Sequence, residues 1–141
     1  MEPRIITRPA FKVVGYALKT TSVDGENSTA IPAFWQDYMK NHCESLHKAL
    51  TPVSHAEYGL CRDMDMETGA FNYVIGLEVP EDAAIPGGLN TAAVPAATYA
   101  VFTTPPSDHA GFVDSIQNTW RYIYEEWFPQ SGYEYAPGGA D

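Results

Sequence analysis

The sequence predicts an α+β domain with antiparallel sheets and two main helices, and three observations carry that prediction. Apolar residues recur at helical spacing around residues 30–48 and again around 108–128. Segments with strand character, at 4–7, 10–20, 57–62, 71–79, 89–94 and 97–103, flank those stretches. The two halves also echo each other. Thr7-Arg8-Pro9-Ala10 and Ala93-Val94-Pro95-Ala96 each precede a strand, and Ile31 with Trp35 is matched by Ile116 with Trp120 at nearly the same interval. Each half therefore reads strand, strand, helix, strand. The expectation is one domain, residues 1–141, built from pseudo-repeats at about 1–80 and 88–141, with a pseudo-twofold axis and a central cleft.

In chain order, 4–7 and 10–20 read as a strand pair joined at Arg8-Pro9, and 22–28 as a polar loop. Thr29 is the expected cap of the first helix, with Pro32 in its first turn and Thr51-Pro52 as its stop. Its apolar stripe is Ile31, Phe34, Trp35, Tyr38, Met39, His42 and Leu46. The strands at 57–62 and 71–79 form a hairpin across the turn 63–69. Phe71, Tyr73, Ile75, Leu77 and Val79 share one face, expected to be core, and Asn72, Val74, Gly76 and Glu78 share the other. A second pair of strands turns at Pro95. The second helix is expected to be capped by Ser107 or Asp108, to carry Phe112, Val113, Ile116, Trp120, Ile123, Tyr124, Trp127 and Phe128, and to stop at Pro129. Residues 133–135 read as a short strand.

Composition narrows the function classes. A hydrophobic content of 45% with 13% aromatics excludes a disordered chain. No apolar run approaches the ~20 residues of a membrane helix, and Met1-Glu2-Pro3-Arg4 does not open a signal peptide. Two cysteines, Cys43 in a helical pattern and Cys61 in a strand pattern, are expected to be reduced, buried thiols, which points to the cytoplasm. Eighteen acidic residues against eight basic ones give a net charge of −10, a field that repels phosphate backbones and attracts cations. Direct nucleic-acid binding is therefore not expected, although acidity also serves solubility.

Catalytic and metal motifs are weak. Asp63, Asp65 and Glu67 begin like a calcium loop but lack its glycine and closing glutamate, so the segment reads as a hairpin turn. Cys43 and His47 lie four apart on one helix near His42 and His55, yet no second Cys/His pair closes a tetrahedral set. There is no phosphate-cradling glycine loop and no nucleophile elbow. The sequence therefore implies no catalytic residue, cofactor or metal.

Aromatic and acidic residues are the site candidates. Trp35 and Trp120 are placed to stack on a ligand, or else are ordinary core residues on their helix faces; Trp127 has the same two readings. Tyr58 and Tyr73 are amphipathic residues suited to line a pocket, although Tyr73 shares its face with core residues. Glu78, the acid ending an otherwise apolar strand, is the sharpest candidate: buried, it would need a cationic partner. Beside Glu81 and Asp82 it is equally readable as a solvated strand end. Glu134, between Tyr133 and Tyr135, is the alternative acid.

The segments Pro9-Ala10-Phe11-Lys12-Val13-Val14-Gly15, Ile31-Pro32-Ala33-Phe34-Trp35, Tyr58-Gly59-Leu60-Cys61, Tyr73-Val74-Ile75-Gly76-Leu77-Glu78-Val79, Pro95-Ala96-Ala97-Thr98-Tyr99-Ala100-Val101-Phe102 and Trp127-Phe128-Pro129-Gln130-Ser131-Gly132-Tyr133-Glu134 occur in the order seen in GyrI-like domains. Over nearly its whole length the chain resembles this family, the effector-binding domains of AraC-type and MerR-type bacterial regulators. The resemblance implies a duplicated α+β unit with an aromatic-lined cleft in which, in multidrug-sensing members, an acid meets lipophilic cations. It further implies a stand-alone member, with no DNA-reading segment before residue 4, and places the family's last-strand acid and tyrosine beyond Asp141. The second half lacks an outer strand, so a homodimer covering that edge is expected. The leading functional expectation is a binding module for amphipathic, cationic compounds such as drugs or dyes. The alternatives are a modulator of a topoisomerase or regulator, and a small hydrolase of reactive compounds.

Overall fold

A computed structural model describes residues 2–108 and 110–135. Its elements are β1 (Arg4–Arg8), β2 (Phe11–Thr21), α1 (Glu26–Asn41), α2 (Cys43–Ala49), β3 (Glu57–Arg62), β4 (Ala70–Val79), β5 (Asn90–Val94), β6 (Ala97–Val101), α3 (Phe112–Tyr122) and α4 (Phe128–Ser131). The expected α+β class with antiparallel sheets is what the chain forms. Among the described residues no helix is long and apolar enough to cross a membrane.

The chain divides into two compact units, one holding β1, β6 and the helical segment from α3 to α4, the other holding β2 to β5 with α1 and α2. The expected pairing of 4–7 with 10–20, and of 89–94 with 97–103, does not occur. β1 pairs with β6 instead, Arg4 opposite Val101, and β2 pairs with β5, Phe11 opposite Val94. Pro9 and Pro95 explain the exchange. Neither ring nitrogen can donate to a ladder, so each proline interrupts what would otherwise be one strand, and the pieces on either side find different partners.

The larger unit is a four-stranded antiparallel sheet in the order β3-β4-β2-β5. β4 and β2 are its inner strands; Gly76 of β4 faces Gly15 of β2, and Ile75 of β4 faces Gly59 of β3. A methyl group on Gly15 or Gly76 would run into the facing strand's backbone, so the strands approach there as only glycine allows. The odd residues of β4 are core as predicted: Phe71, Tyr73, Ile75, Leu77 and Val79 are buried with Val14, Tyr38, Leu46 and Leu50. The even face is less polar than the sequence suggested, since Val74 and Gly76 are also buried.

The helices depart from expectation at their ends. α1 begins at Glu26, preceded by Asp24 and Gly25 at φ 55° and 70°, so Thr29 lies inside the helix and Pro32 stands in its interior. The expected single helix then breaks at His42, where φ is −128°, and resumes as α2. The second helix starts at Phe112; Asp108 accepts a hydrogen bond from the Gly111 amide at 2.8 Å just before it. Pro129 does not stop it. The backbone widens into a π turn at Ile123–Trp127, and α4 then carries Pro129 near its start. Proline crowds the carbonyl four residues back, and the wide turn relieves that contact. The stop is Gly132, in the left-handed region at φ 78°. Residues 133–135 form no strand.

The turn at 63–69 is the expected hairpin. Asp65 Oδ1 accepts hydrogen bonds from the Glu67 and Thr68 amides at 2.9 and 3.3 Å, and these hold its carboxyl below the usual carboxylate range.

Candidate functional site

Within the larger unit, the predicted site residues sort onto two faces of the sheet. Strand alternation puts Glu57, Gly59 and Cys61 on the helix-covered side and Tyr58 on the other. Tyr73 belongs to the helix-covered core, and Glu78 to the opposite face.

On the opposite face the Tyr58 hydroxyl donates to Glu78 Oε1 at 3.0 Å. The Phe11 ring lies 5.7 Å from that of Tyr58, tilted by 46°. β3, β4 and β2 each supply one of these three residues, so the register of two ladders sets the group. Chemically it is a half-buried carboxylate oriented by a phenol with a second aromatic ring alongside. Phe11 was not singled out from the sequence; its place beside Tyr58 depends on the pairing of β2 with β4.

On the helix-covered face, Trp35 Nε1 donates to the Tyr73 hydroxyl at 2.8 Å, and Trp35 packs edge-on against Tyr38 at 5.9 Å. Burial pushes the Tyr73 phenol up to about 12, with the Trp35 bond opposing that rise. Gly59 is the gap these rings fill, because a Cβ there would strike the Tyr73 hydroxyl and come within 2.9 Å of Trp35. Trp35, partly buried, and Tyr73, buried, thus form a hydrogen-bonded pair on the face of the sheet opposite Tyr58 and Glu78.

In the other unit, Trp120 and Tyr124 stack at 5.8 Å, and Tyr124 and Phe128 at 5.8 Å, so residues four apart on α3 to α4 make a ring ladder. Trp120 is 40% exposed. Trp127 stacks on Tyr133 at 5.8 Å and meets the edge of Phe102 at 5.1 Å. Glu134 is exposed in the segment after Gly132.

A second polar cluster sits on the helix-covered side. Glu57 Oε1 accepts hydrogen bonds from Cys43 Sγ at 2.9 Å and the Tyr38 hydroxyl at 3.2 Å, and lies 3.0 Å from His47 Nε2. Burial raises the Glu57 pKa, but the bonds from Cys43, His47 and Tyr38 outweigh it and hold the carboxyl below its usual range. The hydrogen bond to Glu57, and then burial, push the Cys43 thiol up. Burial and the adjacent carboxylate push the Tyr38 phenol far up. The sequence pairs Cys43 with His47 at helical spacing, but Glu57 joins them only because β3 begins beneath α2. Its signal was its parity with Gly59 and Cys61 on a strand whose other residues face away. Cys43 and Cys61 are not joined by a disulfide, and both are partly buried, short of the expected full burial, because each lies at the margin of the core.

The fold recurs in solved structures. The structure of SAV2435 bound to tetraphenylphosphonium superposes with a TM-score of 0.72 at 14% identity, covering 99% of this chain and 80% of that one. A transcription regulation protein from Staphylococcus aureus MU50 gives 0.70 at 16% identity, covering 99% and 83%. The integron cassette protein from the mobile metagenome of Vibrio cholerae gives 0.60 at 18%, covering 99% and 85%. In sequence, the chain is 34% identical over 134 residues to the transcriptional regulator BrlR of Pseudomonas aeruginosa, matching 95% of this chain but only 44% of that regulator's length. Residues 4–140 match the model of the integron-associated effector binding proteins, and the chain belongs to that family.

Proposed function

We propose that this effector-binding domain takes up amphipathic organic cations, and that Glu78, Tyr58 and Phe11 form the charge-reading part of its site. One observation carries the reading: a carboxylate on an otherwise apolar strand is oriented by the Tyr58 hydroxyl at 3.0 Å, with the Phe11 ring beside that phenol. Aromatic faces attract cations by about 0.5–2 kcal/mol each, and a desolvated carboxylate sets the sign of the preferred charge. The net charge of −10 adds a long-range attraction of the same sign. The phosphonium bound to the structurally similar SAV2435 belongs to the ligand class these groups would favour. Aromatic surface carries most of the affinity, so the site would accept many shapes of one charge.

The test is a titration of the full chain with tetraphenylphosphonium and with neutral triphenylphosphine oxide, followed by tryptophan fluorescence. The cation is expected to bind with roughly micromolar affinity, about 8 kcal/mol. Glu78→Gln is expected to cost on the order of 1–3 kcal/mol for the cation and little for the neutral compound. Equal affinity for both compounds in the unmodified protein refutes a cation site.

A further inference from the structure

We propose that Cys43, His47 and Glu57 form a binding site for a transition-metal ion of the zinc type, separate from the cation-reading group on the other face of the sheet. Their ligand atoms, Sγ, one imidazole nitrogen and one carboxylate oxygen, lie within 4.8 Å of one another. Two of the three come from one face of α2, where residues four apart stand one above the other. The third comes from the first residue of β3, on the side of the sheet that α2 covers.

Distance, chemistry and access agree. Zinc holds sulfur at about 2.3 Å and nitrogen or oxygen at about 2.0–2.2 Å in a tetrahedron, which puts neighbouring ligand atoms about 3.4–3.6 Å apart. Here Sγ and Nε2 stand 2.9 and 3.0 Å from Glu57 Oε1. Small side-chain rotations that open the triangle by about half an ångström would admit the ion. A thiolate, an imidazole and a carboxylate together suit zinc or cobalt, whereas magnesium and calcium take oxygen ligands alone. The His47 and Glu57 side chains are 26% and 20% exposed, so an ion can enter and water can fill the fourth position.

The surroundings resemble the outer shell that metal sites use. Tyr38 is 1% exposed and donates to the same Glu57 oxygen at 3.2 Å, fixing the carboxylate toward α2. In the metal-free protein, Cys43, Tyr38 and His47 all converge on that one oxygen. On binding, the ion displaces the thiol proton to solvent and takes the lone pair of His47 Nε2, whose ring proton then sits on Nδ1. The Tyr38 bond stays in place.

The experiment uses the full chain, stripped with a chelator and titrated with Co²⁺ and then with competing Zn²⁺. Tetrahedral cobalt bound through a thiolate gives intense visible bands and a sulfur-to-metal charge-transfer band, and zinc should abolish both. The chain has two cysteines, so Cys61→Ser is expected to keep the charge-transfer band and Cys43→Ser to remove it. Cys43→Ser should also weaken cobalt binding by more than about 100-fold, beyond the 10–100-fold typical of losing an outer-shell partner. His47→Gln, at a partly exposed position, should weaken it similarly, and circular dichroism of each metal-free variant reports whether it is folded. A cobalt complex without the charge-transfer band, or one unchanged by both Cys43→Ser and His47→Gln in folded proteins, overturns the proposal.

Discussion

Trp35 and Trp120 stand at matching intervals in the two halves of the sequence, yet they have different surroundings. Trp35 is partly buried on α1, its indole N–H satisfied by Tyr73 at 2.8 Å and its ring set against Tyr38. Trp120 is 40% exposed on α3 and stacks on Tyr124, four residues along the same helix. The same side chain on the same kind of amphipathic stripe is a core residue in one place and a surface ring in the other. The difference is the neighbouring strand: Trp35 has a tyrosine hydroxyl beneath it and a glycine, Gly59, that leaves it room. An indole can be buried where its N–H finds an acceptor. Matching stripes therefore do not imply matching roles.

The contrast can be broken experimentally. Trp35→Ala should destabilise the protein by about 3–5 kcal/mol in urea titration, the range for truncating a buried large aromatic; a loss below about 1 kcal/mol would remove Trp35 from the core. Gly59→Ala tests the same pair from the opposite side. Its new methyl has no space beside Tyr73 and Trp35, so a loss toward the upper end of about 1–3 kcal/mol is expected for overpacking. No change would mean that the rings yield freely.

Tyr73 adds a pH signature. Its folded-state pKa is raised from 10.0 to about 12, so above pH 10 the unfolded chain gives up the proton first. The stability from this group is complete below pH 10 and is lost as pH rises toward 12. The loss is on the order of 2 kcal/mol. Tyr73→Phe should flatten the alkaline limb of the stability curve, and an unchanged slope would show that other groups set it. Trp120→Ala has the smallest expected effect, about 0.5–1.5 kcal/mol or less, because a stacked pair on the surface is lost but no core volume. With Trp120 as the only tryptophan, acrylamide should quench fluorescence strongly; with Trp35 as the only one, weakly. Similar quenching of the two would erase the distinction.

The odd face of β4, the hairpin at 57–79 and the α+β class were legible because alternation and turn residues act over a few positions. The pairing of β1 with β6 was not, since prolines at 9 and 95 mark an interruption without naming the new partner. Pro129 was read as a stop because nothing local announces the π turn that accommodates it. Tyr58 and Glu78 were legible as residue types, but their hydrogen bond depends on the register of β3 against β4.

Local pattern supplies an inventory: two helical stripes, six strand segments that form and one at 133–135 that does not, a net negative charge, and the side chains from which the candidate sites are built. These follow from periodicity, backbone preference and charge, which are properties of neighbours along the chain. Tertiary structure alone decided which inventory members meet. It joined Phe11 to Tyr58 and Glu78, separated them from Trp35 and Tyr73 by the thickness of a sheet, and brought Glu57 beneath Cys43 and His47. Those meetings rest on ladder register and on the side of the sheet each residue faces. A shift of one residue in pairing reverses every face, so contacts between distant segments are set only when the whole core closes.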